Sequence, residues 1–150
     1  MKLNISYFST NDLKAIKQAC ECAEENTSGE VRVTIFNKRP PKTADLDLKQ
    51  LAYLEFKNLG MEQTRDRTGI LLFILLSERK FQILADVGIS AKVEQAVWDE
   101  IAGQLIENFK KGEYLSGVVT AVMRIGEIMA GWFPRKADDT NELSDEVHVA

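Results

Sequence analysis

The chain has 150 residues, 45% hydrophobic and 28% charged, which suits one globular domain and leaves little room for two. A formal charge of −4 and a pI near 5.1 argue against a nucleic-acid binder, which needs a basic face to displace counterions. The longest apolar run, the seven residues Ile70 to Leu76, falls far short of the roughly 20 that a membrane helix requires.

Met1-Lys2-Leu3-Asn4 leads into a polar helix start, so no signal peptide and a reduced, cytoplasmic setting are expected. Ser9-Thr10-Asn11-Asp12 opens the first helix: Ser9 can cap, and Phe8 can staple onto Leu13. Its stripe is Leu13, Ile16, Cys20 and Ala23, and it ends near Glu25 before Thr27-Ser28-Gly29. Cys20 and Cys22 point to different sides of that helix, which disfavours a mutual disulfide. Glu30 to Phe36 alternates as a strand, and Pro40-Pro41 forces a loop after it. A second helix is predicted from near Asp45, carrying Leu48, Leu51, Leu54 and Leu59, with Gly60 placed to stop it.

A polar loop with Glu62, Arg65, Asp66 and Arg67 precedes Gly69 to Leu76, which reads as a strand buried on both faces. Ser77-Glu78-Arg79 is a turn, and Lys80 to Asp86 returns as its antiparallel partner. Asp86 to Ser90 reads as a loop. Two helices follow, Val93 to Lys110 with Gly112 as its stop, and Tyr114 to Trp132 ended by Pro134. Trp98 and Trp132 read as core or rim residues. The domain therefore spans residues 1–134. Residues 135–150, with Asp138, Asp139, Glu142, Asp145 and Glu146, read as an acidic, mobile tail.

A strand, a helix and a strand in succession make the first two strands parallel, and the third runs back along the second. The starts of strands one and two and the end of strand three then share one sheet edge. Glu30, Asp66 and Asp86 lie there, and Glu94 opens the next helix just beyond. Carboxylates held together need a compensating charge. Oxygen ligands without His or Cys suit Ca²⁺ or Mg²⁺ rather than Zn²⁺. Arg65 and Arg67 offer the other compensation, a salt bridge to Asp66 or Asp86.

Several chemistries are excluded. His148 is the only histidine and lies in the tail, so Ser-His-Asp and Cys-His sites lack a base. No phosphate-cradling glycine loop is present. Asp45-Leu46-Asp47 lacks the glycine turn and final glutamate of a calcium loop.

Four segments in order carry a family likeness. Thr27-Ser28-Gly29-Glu30-Val31-Arg32-Val33 resembles the opening strand of TPM domains, and Asp66-Arg67-Thr68-Gly69-Ile70-Leu71-Leu72 resembles their central strand. Arg79 to Ile83 with Asp86-Val87-Gly88-Ile89 resembles their third strand and its glycine turn. Phe109-Lys110-Lys111-Gly112-Glu113-Tyr114-Leu115-Ser116-Gly117 resembles their turn between the last helices. The likeness covers roughly residues 10–131. It implies a three-layer α-β-α sandwich, an α/β fold with a small mixed central sheet. It also implies divalent-metal binding in the loops at one sheet edge, and phosphatase activity on phosphomonoesters in some members. Asp66 matches the family motif directly. Asp86 stands where the usual motif has the first glycine of its turn, and Glu94 matches the next acid only loosely.

The reading that results is a monomeric domain clamping Ca²⁺ or Mg²⁺ through Asp66, Asp86, Glu30 and Glu94, with a regulatory or interaction role. A metal-dependent phosphatase is the alternative. An unidentified protein partner recruited by the acidic tail is a third possibility.

Overall fold

In the computed structural model, which describes residues 7–135 and 146–150, the first helix begins on a closed capping box. Asp12 N donates to Ser9 Oγ at 3.0 Å, and Ser9 N donates to Asp12 Oδ2 at 2.9 Å. Helix α1 (Thr10–Glu24) buries Ile16, Ala19, Cys20 and Ala23, while Cys22 is exposed and both cysteines are free. Strand β1 (Glu30–Phe36) follows. Helix α2 (Leu48–Asn58) starts later than its apolar pattern suggests, at Asp47 rather than near Asp45. Asp47 has Gln50 three residues on, and these two close the box: Gln50 N donates to Asp47 Oδ1 at 2.7 Å and Asp47 N to Gln50 Oε1 at 2.9 Å. Gly60, at φ 73°, ends the helix in the left-handed region.

Strands β2 (Gly69–Leu75) and β3 (Lys80–Ala85) pair antiparallel across a tight turn closed by Arg79 at φ 51°. Strands β1 and β2 run parallel in full register, from Glu30 opposite Gly69 to Phe36 opposite Leu75. Residues 87–90, expected as loop, wind into one helical turn, α3 (Val87–Ser90), because Asp86 caps it. Val87 N donates to Asp86 Oδ1 at 2.7 Å, and Ser90 N to Asp86 O at 2.9 Å. Helices α4 (Gln95–Lys110) and α5 (Tyr114–Trp132) complete the helical set.

The architecture is the three-layer α-β-α sandwich. One face of the sheet, with Val31, Val33, Ile35, Ile70, Leu72 and Ile74, packs against α1, α4 and α5 through Ile16, Trp98, Leu105, Val118, Val122 and Ile125. The other face, with Leu71, Phe73 and Leu75, is covered by α2 through Leu51, Ala52 and Phe56, and by Met61. Two separate apolar clusters result, one on each side of the sheet. Alternation places Glu30, Arg32 and Thr34 of β1 on the α2 side.

The far end of the chain differs from the tail expected of it. Asp138, Asp139, Glu142 and Asp145 lie outside the described residues, but residues 146–150 return to the sheet. Strand β4 (His148–Val149) pairs parallel with β1, giving the order β3-β2-β1-β4. Ala150 N donates to Ile35 O at 3.1 Å and Asn37 N to Ala150 O at 2.9 Å. Glu146 accepts from Lys17 Nζ at 2.6 Å, and its carbonyl accepts from Arg32 Nη2 at 2.7 Å. The physical reason is the buried polar row on β1. Thr34 Oγ1 donates to Glu55 Oε2 at 2.9 Å, and His148 Nδ1 meets the same carboxylate oxygen. Burying Glu55 and Arg32 demands partners, and the terminal segment supplies them.

Candidate ligand site at the sheet edge

Three loops close on one another at the edge where β1 and β2 begin and β3 ends. Glu30 N donates to Thr68 O at 3.1 Å, Asp86 N to Gly69 O at 2.9 Å and Gly88 N to Arg67 O at 2.9 Å. Gly88 is required at that junction: a Cβ there would lie 2.4 Å from Asp66 O and 2.5 Å from Arg67 O. Arg67 holds φ 56°, a left-handed angle that costs a non-glycine residue about 1 kcal/mol or more.

The strained backbone aims the Arg67 side chain at Asp86. Nε and Nη2 donate to Oδ2 and Oδ1 at 2.7 and 2.8 Å, a bidentate fork. Glu62 Oε2 lies 3.9 Å from the same guanidinium. The carboxylate of Asp86 is 4% exposed and the arginine 42%, so the acid is fixed and the base is the outer, movable partner. The hydrogen bond to Asp86 raises the guanidinium pKa further, helped by the charges of Asp86 and Glu62 and opposed by burial.

Asp66 turns elsewhere. Its carboxylate is 3.7 Å from Arg65 Nε, and the residue lines a cleft of about 430 Å³. Ser28, Thr68 and Gly88 also line it, as do the exposed Lys92, Trp132 and Arg135. Glu30 is buried at the first ladder position of β1, on the α2 side. Glu94 is the exposed residue preceding α4, and its side chain makes no cap bond. The fold thus brings the backbones of Glu30, Asp66 and Asp86 to one edge but sends their carboxylates in different directions. Among the described residues, no three of His, Cys, Asp or Glu form a ready-made metal group. Asp86 and Glu62 share one positive partner, the Arg67 guanidinium.

Sequence reasoning leaves out the members that only folding brings near. Glu62 reaches Arg67 from the turn after α2. Lys92, Trp132 and Arg135 arrive from the turn between α3 and α4, from α5 and from the segment beyond it. The one available signal is Trp132-Phe133-Pro134-Arg135, where a bulky ring stands beside a helix stop and a cation. His148, read as part of a tail, meets the buried Glu55 instead. Thr34 donates to that same carboxylate rather than to the imidazole, so the trio is no nucleophile-base relay.

Among curated proteins none matches the chain. Solved structures similar to it include two of named source. One is the BA42 protein of the psychrophilic bacterium Bizionia argentinensis, 31% identical over 100% of both chains, with a TM-score of 0.85. The other is the N-terminal domain of a protein from P. gingivalis, 16% identical with a TM-score of 0.67, covering 87% of this chain and 81% of that one. This second likeness is one of fold. No helix among the described residues is long and apolar enough to cross a membrane. The TPM domain model matches residues 4–128, the stretch that builds the sheet's three main strands, its helical layers and the loop edge, and the chain belongs to the TPM domain family.

Proposed function

We propose that this TPM domain binds a hard divalent cation, Ca²⁺ or Mg²⁺, at the loop edge, and that binding serves regulation or interaction. One observation supports the reading above the rest. A buried carboxylate, Asp86, and a neighbouring one, Glu62, converge on a single positive group that a strained, half-exposed arginine lends them. Such a place favours positive charge and can exchange one source of it for another. Asp86 supplies two oxygens, Glu62 adds one, and Asp66 lies one residue from Arg67. Glu30 and Glu94 add negative potential from the strand start and the helix start. A cation that binds only the folded form raises stability by mass action.

The test is thermal unfolding in EDTA and in millimolar Ca²⁺ or Mg²⁺. The melting temperature is expected to rise with the cation. The rise should vanish in Asp86→Asn and occur at lower cation concentration in Arg67→Ala, where the internal competitor is gone. Identical curves in all three proteins would end the proposal.

A phosphatase acting on phosphomonoesters is a second reading, favoured by the cleft beside Asp66. Lys92 and Arg135 offer positive charge to a phosphate, and Ser28 and Thr68 are hydroxyl-bearing residues of the lining. Turnover of an aryl phosphate should then be lost in Asp66→Ala. Activity that survives the substitution would belong to a contaminant.

A further inference from the structure

We propose that the cleft at the sheet edge binds a flat aromatic ring that carries a phosphate, with Trp132 as the platform for the ring and Lys92 and Arg135 as partners of the anion. The inference rests on the anion-accepting reading of the cleft and needs neither turnover nor a metal.

Trp132 is the first observation. It closes α5 with 53% of its surface exposed, whereas Trp98, the other tryptophan, is fully buried. A large indole left in water at the lip of a cavity is informative where a scattered leucine is not. The second observation is rigidity. Thr27 Oγ1 donates to Phe133 O at 2.5 Å, Ser28 N donates to Phe133 O at 3.0 Å, and Thr27 and Pro134 form a β-bridge. The segment just after the platform is therefore stitched to the loop before β1, and little ordering remains to be done on binding.

The third observation is charge. Lys92 Nζ sits 5.4 Å from the centre of the Phe133 ring, which holds the ammonium at the cleft. Arg135 Nη1 donates to Glu24 O at 3.2 Å, which holds the guanidinium beside the cleft. Among the described residues, two cations and one carboxylate, Asp66, line the space. An exposed indole face would also suit a cationic ligand, but Lys92 and Arg135 repel one. An anion joined to a ring suits the basic lining and the indole together. The volume, about 430 Å³, admits a ring and a phosphate side by side.

The pair of tryptophans makes the test direct, because a ligand in the cleft can quench only Trp132 by contact. Inorganic phosphate, phenyl phosphate, AMP, phenol and adenosine are titrated into the full chain in EDTA. Tryptophan emission and calorimetry are both followed. Phenyl phosphate and AMP are expected to quench emission and to bind roughly tenfold or more tighter than inorganic phosphate, the scale of one stacked ring. Trp132→Leu should bring phenyl phosphate down to the affinity of inorganic phosphate without changing the latter, and Trp132→Phe should restore most of the difference. Lys92→Ala should weaken every anion and leave phenol unaffected. If phenyl phosphate binds no better than inorganic phosphate, the ring platform is wrong while the anion cleft stands. If no anion binds, both readings fall. If phenol and adenosine bind as tightly as their phosphates, the basic pair has no part in recognition.

Discussion

Two arginines show how a single guanidinium organises a loop. Arg67 spans Asp86 and Glu62 at the sheet edge. Arg39, at the opposite end of β1, donates from Nε to Glu78 Oε2 at 2.5 Å and from Nη2 to Glu78 Oε1 at 3.1 Å. Its Nη1 also holds the carbonyls of Thr43 and Leu46 at 2.9 and 2.6 Å, so it pins the proline loop to the turn after β2. The hydrogen bond from Arg39, then the charges of Arg39 and Lys80, hold the Glu78 carboxyl below the usual carboxylate range against the opposing pull of burial. A carboxyl depressed in the folded state contributes stability above its unfolded pKa, and that contribution disappears as pH falls through the folded value. Melting temperatures measured downward from about pH 5 should therefore fall more steeply in the native chain than in Glu78→Gln, its advantage closing below about pH 4.3. Parallel curves would show that the pair contributes nothing. At this scale the sequence is only half legible. It places Arg65 and Arg67 within reach of Asp66 and Asp86, but adjacency does not choose between them. The left-handed backbone of Arg67 makes that choice.

Elements are the most legible level. The first helix, all three main strands and the parallel-then-antiparallel pairing follow from cap residues, apolar periodicity and connection length. The departures fall where a side chain acts across a short distance. Gln50 selects Asp47 as the start of α2, and Asp86 turns a loop into α3. Close approach between helices is also invisible in the pattern. Gly126 on α5 faces α1, where a Cβ would lie 2.6 Å from Ala23 Cβ and 2.8 Å from its Cα. Neither neighbour is flexible, so Gly126→Ala has to push the helices apart. The gain in helix propensity is under about 1 kcal/mol and the cost of overpacking is about 1–3 kcal/mol. A net loss of about 1–2 kcal/mol in urea unfolding is expected. The same substitution at Gly131, which has open space around it, should be neutral or stabilising. Equal behaviour at the two positions would show that the helices adjust freely.

For the molecule as a whole, the hidden feature is the polar row between β1 and α2. Arg32, Thr34 and Glu55 are buried in a layer that apolar periodicity marks as core. Arg32 meets Glu146 O 114 residues on, and Glu55 meets His148 93 residues on, in a segment too short to carry a strand signal. His148→Ala removes the imidazole from Glu55 and leaves a buried carboxylate with Thr34 alone. The chain should lose about 1–3 kcal/mol of stability, and Glu55→Gln in the same background should recover part of it. Unfolding that is unchanged by His148→Ala would place the segment outside the cooperative fold.

The brevity of β4 has a consequence for how copies of the chain treat one another. Along the outer side of β1, the Glu24 carboxylate accepts from Val31 N at 2.9 Å, and residues 146–150 cover the rest of the way to Asn37. Take those five residues away and a parallel-paired interior strand becomes a bare flank of donors and acceptors, open to any extended peptide. The backbone of residues 146–150 thus fills the flank to which a neighbouring chain would otherwise zip.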